Sequence, residues 1–409
     1  MPDLIPIHGM CEPKFARIRE LFQQCFDTGV EIGAAVCVYL DGRCVIDLWG
    51  GHYDLERTRE WEGDTLVNVY STTKAMAALC AHHLMDRGLL DVDAPVSQYW
   101  PEFAAAGKEG VLVRWLLSHQ AGMCAIRQAL PNGALYDWSR MCEALAAEEP
   151  WWTPGQGHGY HVFTYGFLVG ELVRRISGQS LGTYFRRHIA EPLGADFHIG
   201  LPAECDARTS EIYGVLIGNK PPTAREQKNS AEIRDRFAAF ARAVRDPTTM
   251  QGAAFLNPPQ DRDAVNTRAW RAAEIPSVNG HGTARALARI YGALARGGEI
   301  DGIAILQPQT IERAITEEAS GPERMFCGAI AMRFGLGFVL SEDAHRYARF
   351  SPNRRAFGHA GGGGSLGMAD PDAKIGFGFT MNNFQGGIVS AGSTPSALID
   401  AFYDALKQG

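Results

Sequence analysis

Residues 12–28 place Phe15, Ile18, Leu21, Phe22 and Phe26 at helical spacing, which predicts an amphipathic helix with one apolar face. Two strand-like runs follow, Ala34–Leu40 and Cys44–Trp49, and the Asp41-Gly42 pair between them predicts a hairpin. From about Thr72 to about Arg296 the helical period takes over. Helices are predicted over 72–87, 111–118, 139–148, 164–177, 180–189 and 283–296, with Gly or Pro near many of their ends. Residues 203–275 break the pattern with charged patches, Pro221-Pro222 and Pro258-Pro259, and read as a long irregular, lid-like surface excursion. Strand signals return at Phe334–Leu340, Ala356–His359 and Ile375–Met381, the last with alternating apolar residues. A helix over about 394–407 closes the chain.

Strands at both termini thus enclose a helical middle. The economical architecture is an α+β fold: one antiparallel sheet built from both ends of the chain, flanked by helices, with an all-helical part inserted. Residues 1–75 and 325–409 are assigned to the sheet-containing domain and 76–324 to the helical one. A cleft between two such lobes is a natural ligand site. No internal repeat or low-complexity tract complicates this division.

Composition narrows the function classes. The chain has 409 residues, 46% hydrophobic and 21% charged, enough for a large core that can hold a rigid site. A net charge of −7 and the lack of a Lys/Arg run argue against nucleic acid or anionic lipid as a partner. No segment approaches the roughly 18 uninterrupted apolar residues of a membrane span, and Met1 to Cys11 do not form a signal peptide. The nine cysteines are odd in number and scattered without a C-x-x-C, so buried free thiols such as Cys37 and Cys80, and a cytoplasmic location, are expected.

The chemistry concentrates in Leu66-Val-Asn-Val-Tyr-Ser-Thr-Thr-Lys74, which runs from an apolar stretch into a predicted helix. Ser71 falls at or beside the helix N-terminus, where its own N–H is free to meet a substrate oxygen and the dipole favours developing negative charge. Lys74, three residues on, shares its helical face. A serine hydroxyl is a weak nucleophile at neutral pH and needs such a partner; burial makes the lysine a base. On its own, S-x-x-K equally describes a helix cap followed by a solvated lysine.

The surroundings add four more segments in order: Leu116-Leu-Ser-His-Gln-Ala-Gly-Met123, Pro154-Gly155 leading to a tyrosine, Glu191-Pro-Leu-Gly194, and Phe357-Gly-His-Ala-Gly-Gly-Gly-Gly364. Together with S-x-x-K the set resembles the serine β-lactamase and penicillin-binding-protein superfamily. Within it, the chain is most similar to the class C β-lactamase-like esterases, the family VIII carboxylesterases, over roughly residues 15–405. That resemblance implies a β-lactamase-like fold and a serine hydrolase acting on small carboxylic esters, with no metal or organic cofactor.

It also implies further site residues. The family's second element is a tyrosine, for which Tyr160 fits best by its distance from Pro154-Gly155; Tyr165 remains a competitor because the segment aligns with a slip. The tyrosine shuttles a proton among Ser71, Lys74 and the leaving group. The third element is K-T-G in the lactamases; His359-Ala360-Gly361 stands there, so His359 replaces a lysine and orients substrate or the tyrosine. The second oxyanion donor falls to Gly362, paired with the Ser71 N–H. Val162 stands where the lactamases' Y-x-N has Asn. His119, in the L-L-x-H segment, is read as a wall of the cleft.

Other signals carry less. Gly362-Gly-Gly-Ser-Leu-Gly367 matches G-x-G-x-x-G, but Asp370-Pro371 follows instead of a helix. His158 and His161 lack the acidic or cysteine companions of a metal site. The alternatives are sister activities on the same scaffold (β-lactam hydrolysis, D-amino-acid peptidase or amidase work, acyl transfer) and, from another class, a non-catalytic binder.

Overall fold

Strands from the two ends of the chain meet in one sheet. The structure, a computed structural model, describes residues 5–214, 231–261, 263–342, 350–384 and 393–408. The sheet contains β1 (Ile7–Cys11), β2 (Gly33–Leu40), β3 (Arg43–Gly51), β4 (Ala319–Pro322), β5 (Ala331–Phe334), β6 (Val339–Leu340), β7 (Phe357–Ala360), β8 (Leu366–Asp370) and β9 (Ile375–Met381). Its spatial order is β1-β3-β2-β9-β8-β7-β6-β5-β4, with antiparallel neighbours throughout. The junction between the chain's two ends is the long β2–β9 ladder, Leu40 opposite Ile375 through Ala34 opposite Met381. The expected hairpin is present: Leu40 pairs with Arg43, and Asp41 and Gly42 both take positive φ (46° and 81°), the geometry that suits a two-residue turn between twisted strands.

The two faces of β9 are filled differently. Ile375, Phe377 and Phe379 share a core with Phe15, just before helix α1 (Ala16–Asp27), with Phe22 and Phe26 on that helix, and with Phe402 of the C-terminal helix (Ser393–Lys407). On the opposite face Gly376 and Gly378 let the helix Ala284–Ala295 lie directly on the strand. A Cβ at Gly376 would come within 2.2 Å of Gly292 N, and one at Gly378 within 2.2 Å of Ala284 O. That helix belongs to the stretch assigned by sequence to the helical part, yet it packs on the sheet.

Beside the sheet, helix α2 (Thr73–Asp86) is buried from Thr73 through Leu84. A helix apolar on all sides belongs in a core, and here the helix α3 (Thr164–Ser177) packs against it. Buried placement of α2 fixes its first turn and everything on it.

Several boundaries differ from the sequence reading. The run Phe334–Leu340 is not one strand: β5 ends at Phe334, Gly335 N–H donates to Phe338 O at 2.9 Å, and β6 starts at Val339. Leu336 and Phe338 are buried in the core around α2, so that turn places apolar residues inward and imitates a strand. Within 203–275 the described residues include helices Ala231–Ala243 and Met250–Leu256, while 215–230 lie outside the described residues. The predicted helix 180–189 is α-helical over Leu181–Phe185 and continues as a π-helical turn, Arg186–Ala190. Among the described residues no helix is long and apolar enough to cross a membrane.

Candidate active site

The turn before α2 is shaped to present Ser71. Tyr70 takes a positive φ of 45°, a costly conformation for a bulky residue, and it aims the chain sharply into the helix. Thr72 N–H donates to Val69 O at 3.2 Å and Lys74 N–H to Ser71 O at 3.0 Å, so Ser71 sits in the turn itself, two residues before the first helical residue. Its N–H enters no main-chain hydrogen bond with a described residue, which leaves a donor free beside its hydroxyl.

Lys74 is fully buried. Its Nζ lies 3.2 Å from Ser71 Oγ and donates to Val162 O at 2.8 Å and to Ser277 O at 3.0 Å. Burial drives the Lys74 pKa well below the ordinary lysine value, and among the described residues no carboxylate offsets it. In the neutral form that burial favours, the amine would have two N–H bonds for the two carbonyls and one lone pair for the Ser71 hydroxyl.

The structure brings Tyr160 to this pair and keeps Tyr165 away. The Tyr160 ring centroid is 4.6 Å from Lys74 Nζ. Its hydroxyl is buried and faces the Ser71 side chain without closing a hydrogen bond; burial raises its pKa, and the nearby Ser71 hydroxyl offsets only part of that. Tyr165 is also fully buried, but its hydroxyl points at Gly337 and Ala78, where it would lie 2.5 Å from a Cβ built on Gly337. His119 packs between the two rings, 5.0 Å from Tyr160 and 4.9 Å from Tyr165. Its Nδ1 accepts from the His161 N–H at 3.1 Å and its carbonyl accepts from the Gly159 N–H at 3.0 Å, so it braces the loop carrying Tyr160. His161 is used up structurally: Nδ1 donates to Gly159 O at 2.7 Å and Nε2 accepts from the Met123 N–H at 3.1 Å.

The edge of β7 closes the site. Ser365 Oγ donates to Val69 O at 2.7 Å, and Thr72 Oγ1 bridges to Ser365 Oγ at 3.1 Å and to His359 O at 3.3 Å. These bonds tie the glycine run to the Ser71 turn. A Cβ at Gly361 would fall 2.1 Å from Val69 O and 2.2 Å from Ser365 Oγ, so only glycine lets the strand come this close. Gly362 follows, beside Phe384 and Tyr70. His359 is buried with its ring 6.0 Å from that of Tyr160; Nδ1 donates to Ala360 O at 2.7 Å, and Nε2 is left as an unpartnered acceptor. Burial first, then the neighbouring Lys74, lowers His359 to about 3, so the imidazole is neutral at working pH.

Some of this was not signalled by sequence. The Val162 side chain cannot replace an asparagine, but its carbonyl reaches Lys74 all the same. Ser277 acts through its carbonyl on Lys74 and through Oγ, which donates to Phe163 O at 2.6 Å and accepts from the Gly166 N–H at 2.6 Å. A lone serine in a loop gives no pattern to find. Glu323, buried under Tyr160, sits between Pro322 and Arg324 and reads as surface charge.

Comparison with known proteins places this geometry. The β-lactamase family model matches residues 18–394. A Mycobacterium tuberculosis protein named esterase/beta-lactamase LipL is 34% identical over 406 residues, covering 98% of this chain and 88% of that one. Among solved structures, a family VIII carboxylesterase is 39% identical with a TM-score of 0.86, covering 98% of this chain and 100% of that one. A penicillin-binding protein homolog from Caulobacter crescentus is 37% identical with a TM-score of 0.85 at the same coverages.

Proposed function

The chain belongs to the β-lactamase family and is a serine hydrolase of the esterase/β-lactamase type, and from that premise we propose that it hydrolyses small, short-chain carboxylic esters through an acyl-enzyme on Ser71. Lys74, its proton affinity lowered by burial, takes the Ser71 proton as Oγ attacks the ester carbonyl carbon. The oxyanion forms against the N–H groups of Ser71 and Gly362. When the tetrahedral intermediate collapses, the C–O bond to the alcohol breaks and Tyr160 relays the proton from Lys74 to the departing alkoxide. Water then attacks the acyl carbon, gives its proton back through Tyr160 and Lys74, and releases the acid and free Ser71.

The observation that carries the ester reading is electrostatic. Both imidazoles that meet Tyr160 are uncharged, His119 held well below its ordinary value and His359 at about 3, and burial lowers Lys74 well below the ordinary lysine value. A penicillin or cephalosporin brings a carboxylate that gains from a fixed cation, and a neutral His359 offers none. A simple ester needs no such contact, and its alkoxide departs more readily than an amine. β-Lactams are accordingly slow substrates or lingering acyl-enzymes.

The test is kcat/KM for p-nitrophenyl acetate and butyrate against nitrocefin and a penicillin on one preparation. The esters are expected to lead clearly; a ratio favouring the lactams overturns the esterase reading for a divergent β-lactamase.

A further inference from the structure

Glu323 follows β4 and is 0% exposed. One carboxylate oxygen accepts the Tyr160 N–H; the other accepts the Phe326 N–H at 2.7 Å, and the Met325 N–H also bonds the carboxyl. Its own main chain is fixed as well, with its N–H donating to Ile330 O at 2.9 Å and its carbonyl accepting from the Gly328 N–H at 2.8 Å. The titratable groups close enough to feel its charge are Cys124 from the segment behind it, Cys327 from its own loop and Tyr160 from the loop in front. All three are raised by burial and therefore neutral at working pH. The adjacent Arg324 turns away, donating through Nη2 to Gln156 O at 2.9 Å and lying 5.5 Å from the Trp152 ring centroid. Among the described residues no cation pairs with the carboxyl, and main-chain donors hold it.

We infer that Glu323 is a positioning residue for the hydrolytic reaction, its ionised carboxylate holding the main chain of Tyr160 so that the phenol stands over Lys74 and Ser71. The inference rests on the proposed role of Tyr160. The physical reason is a match of donors and acceptors. A carboxylate offers only acceptors, and here it meets only N–H donors. Protonation turns one oxygen into a donor facing a donor, so one of these bonds must give way and the loop is loosened. Burial without a counter-charge raises Glu323 to about 7, which brings that change into the working pH range. Displacement of a proton-transfer group by a fraction of an ångström weakens turnover far more than binding.

The test is the pH profile of kcat and KM for p-nitrophenyl butyrate in wild type, Glu323→Gln and Tyr160→Phe. Wild-type kcat is expected to rise with pH through a single ionisation near 7 while KM stays flat. Glu323→Gln, which keeps the shape but presents an amide N–H to a donor, should lose kcat by about tenfold to a hundredfold at pH 8 and lose that ionisation. Wild-type kcat with an unchanged acid limb in Glu323→Gln overturns the inference; if Tyr160→Phe is inactive in the same series, the proton-shuttle reading stands and only Glu323 falls. Full activity in Tyr160→Phe overturns both. Should Glu323→Gln fail to fold by circular dichroism, infrared difference spectra of the wild type between pH 6 and pH 8 decide. Loss of a buried carboxylic acid band in step with the rise in kcat supports the assignment, and absence of such a band contradicts it.

Discussion

Lys74 Nζ stands 3.2 Å from Ser71 Oγ and hydrogen-bonds two main-chain carbonyls, Val162 O and Ser277 O. Among the described residues no carboxylate offsets its burial, which lowers its proton affinity and favours the neutral amine, the form that can take a proton.

That relationship has a thermodynamic signature. In the unfolded chain Lys74 titrates at about 10.4, whereas the folded value is lowered. Between the two values the unfolded state binds one proton more than the native state. Stability from this position is therefore weakest at low pH and rises with pH by about 1.4 kcal/mol per unit until the unfolded value is reached. Lys74→Met removes this titration and abolishes ester turnover. Urea denaturation of both proteins at several pH values up to about 10 should show wild type gaining on the variant as pH rises toward the unfolded value. A difference that stays constant over that whole range would mean that the folded protein does not lower Lys74.

The two tyrosines separate by function. Tyr160→Phe deletes only a hydroxyl that faces Ser71 and is expected to reduce kcat by about 10²-fold or more. Tyr165→Phe deletes a hydroxyl buried against Gly337 and Ala78, and kcat should stay within a few-fold. The reverse pattern in steady-state kinetics with p-nitrophenyl butyrate would move the shuttle to Tyr165.

Legibility in the sequence followed the range of the interactions. The Asp41-Gly42 hairpin, the helix Thr164–Ser177 and strand Ile375–Met381 were readable because turn chemistry and side-chain period are local. The strands Ile7–Cys11, Ala319–Pro322 and Leu366–Asp370 were not: each is short and gains its place only by pairing with a partner that sequence does not name. The same division holds at the site. Ser71 and Lys74 announce themselves by spacing, and the glycine run marks a close approach of backbone. Val162 and Ser277 contribute carbonyls, which every residue has, and Glu323 contributes a carboxyl whose partners are main-chain N–H groups. None of these leaves a residue-type pattern.

Close approach at Gly361 is testable by one methyl group. In Gly361→Ala the new Cβ meets Val69 O at 2.1 Å and Ser365 Oγ at 2.2 Å, so β7 must withdraw from the Ser71 turn. The overpacking should cost about 1–3 kcal/mol, seen as a lower Tm. If the Ser71 and Gly362 N–H groups are the oxyanion donors proposed above, separating them should cost kcat about 10²-fold or more. An alanine variant with wild-type kcat would show that this strand does not set the donor geometry.

The central claim is that Ser71 carries the acyl group. The direct measurement is intact mass after treatment with a fluorophosphonate, followed by peptide mapping, on wild type and on Ser71→Ala shown to be folded by circular dichroism. The account predicts a single adduct on Ser71 in the wild type, none in the variant, and loss of ester turnover by several orders of magnitude in the variant. An adduct on a different serine, or equal labelling of Ser71→Ala, would contradict it.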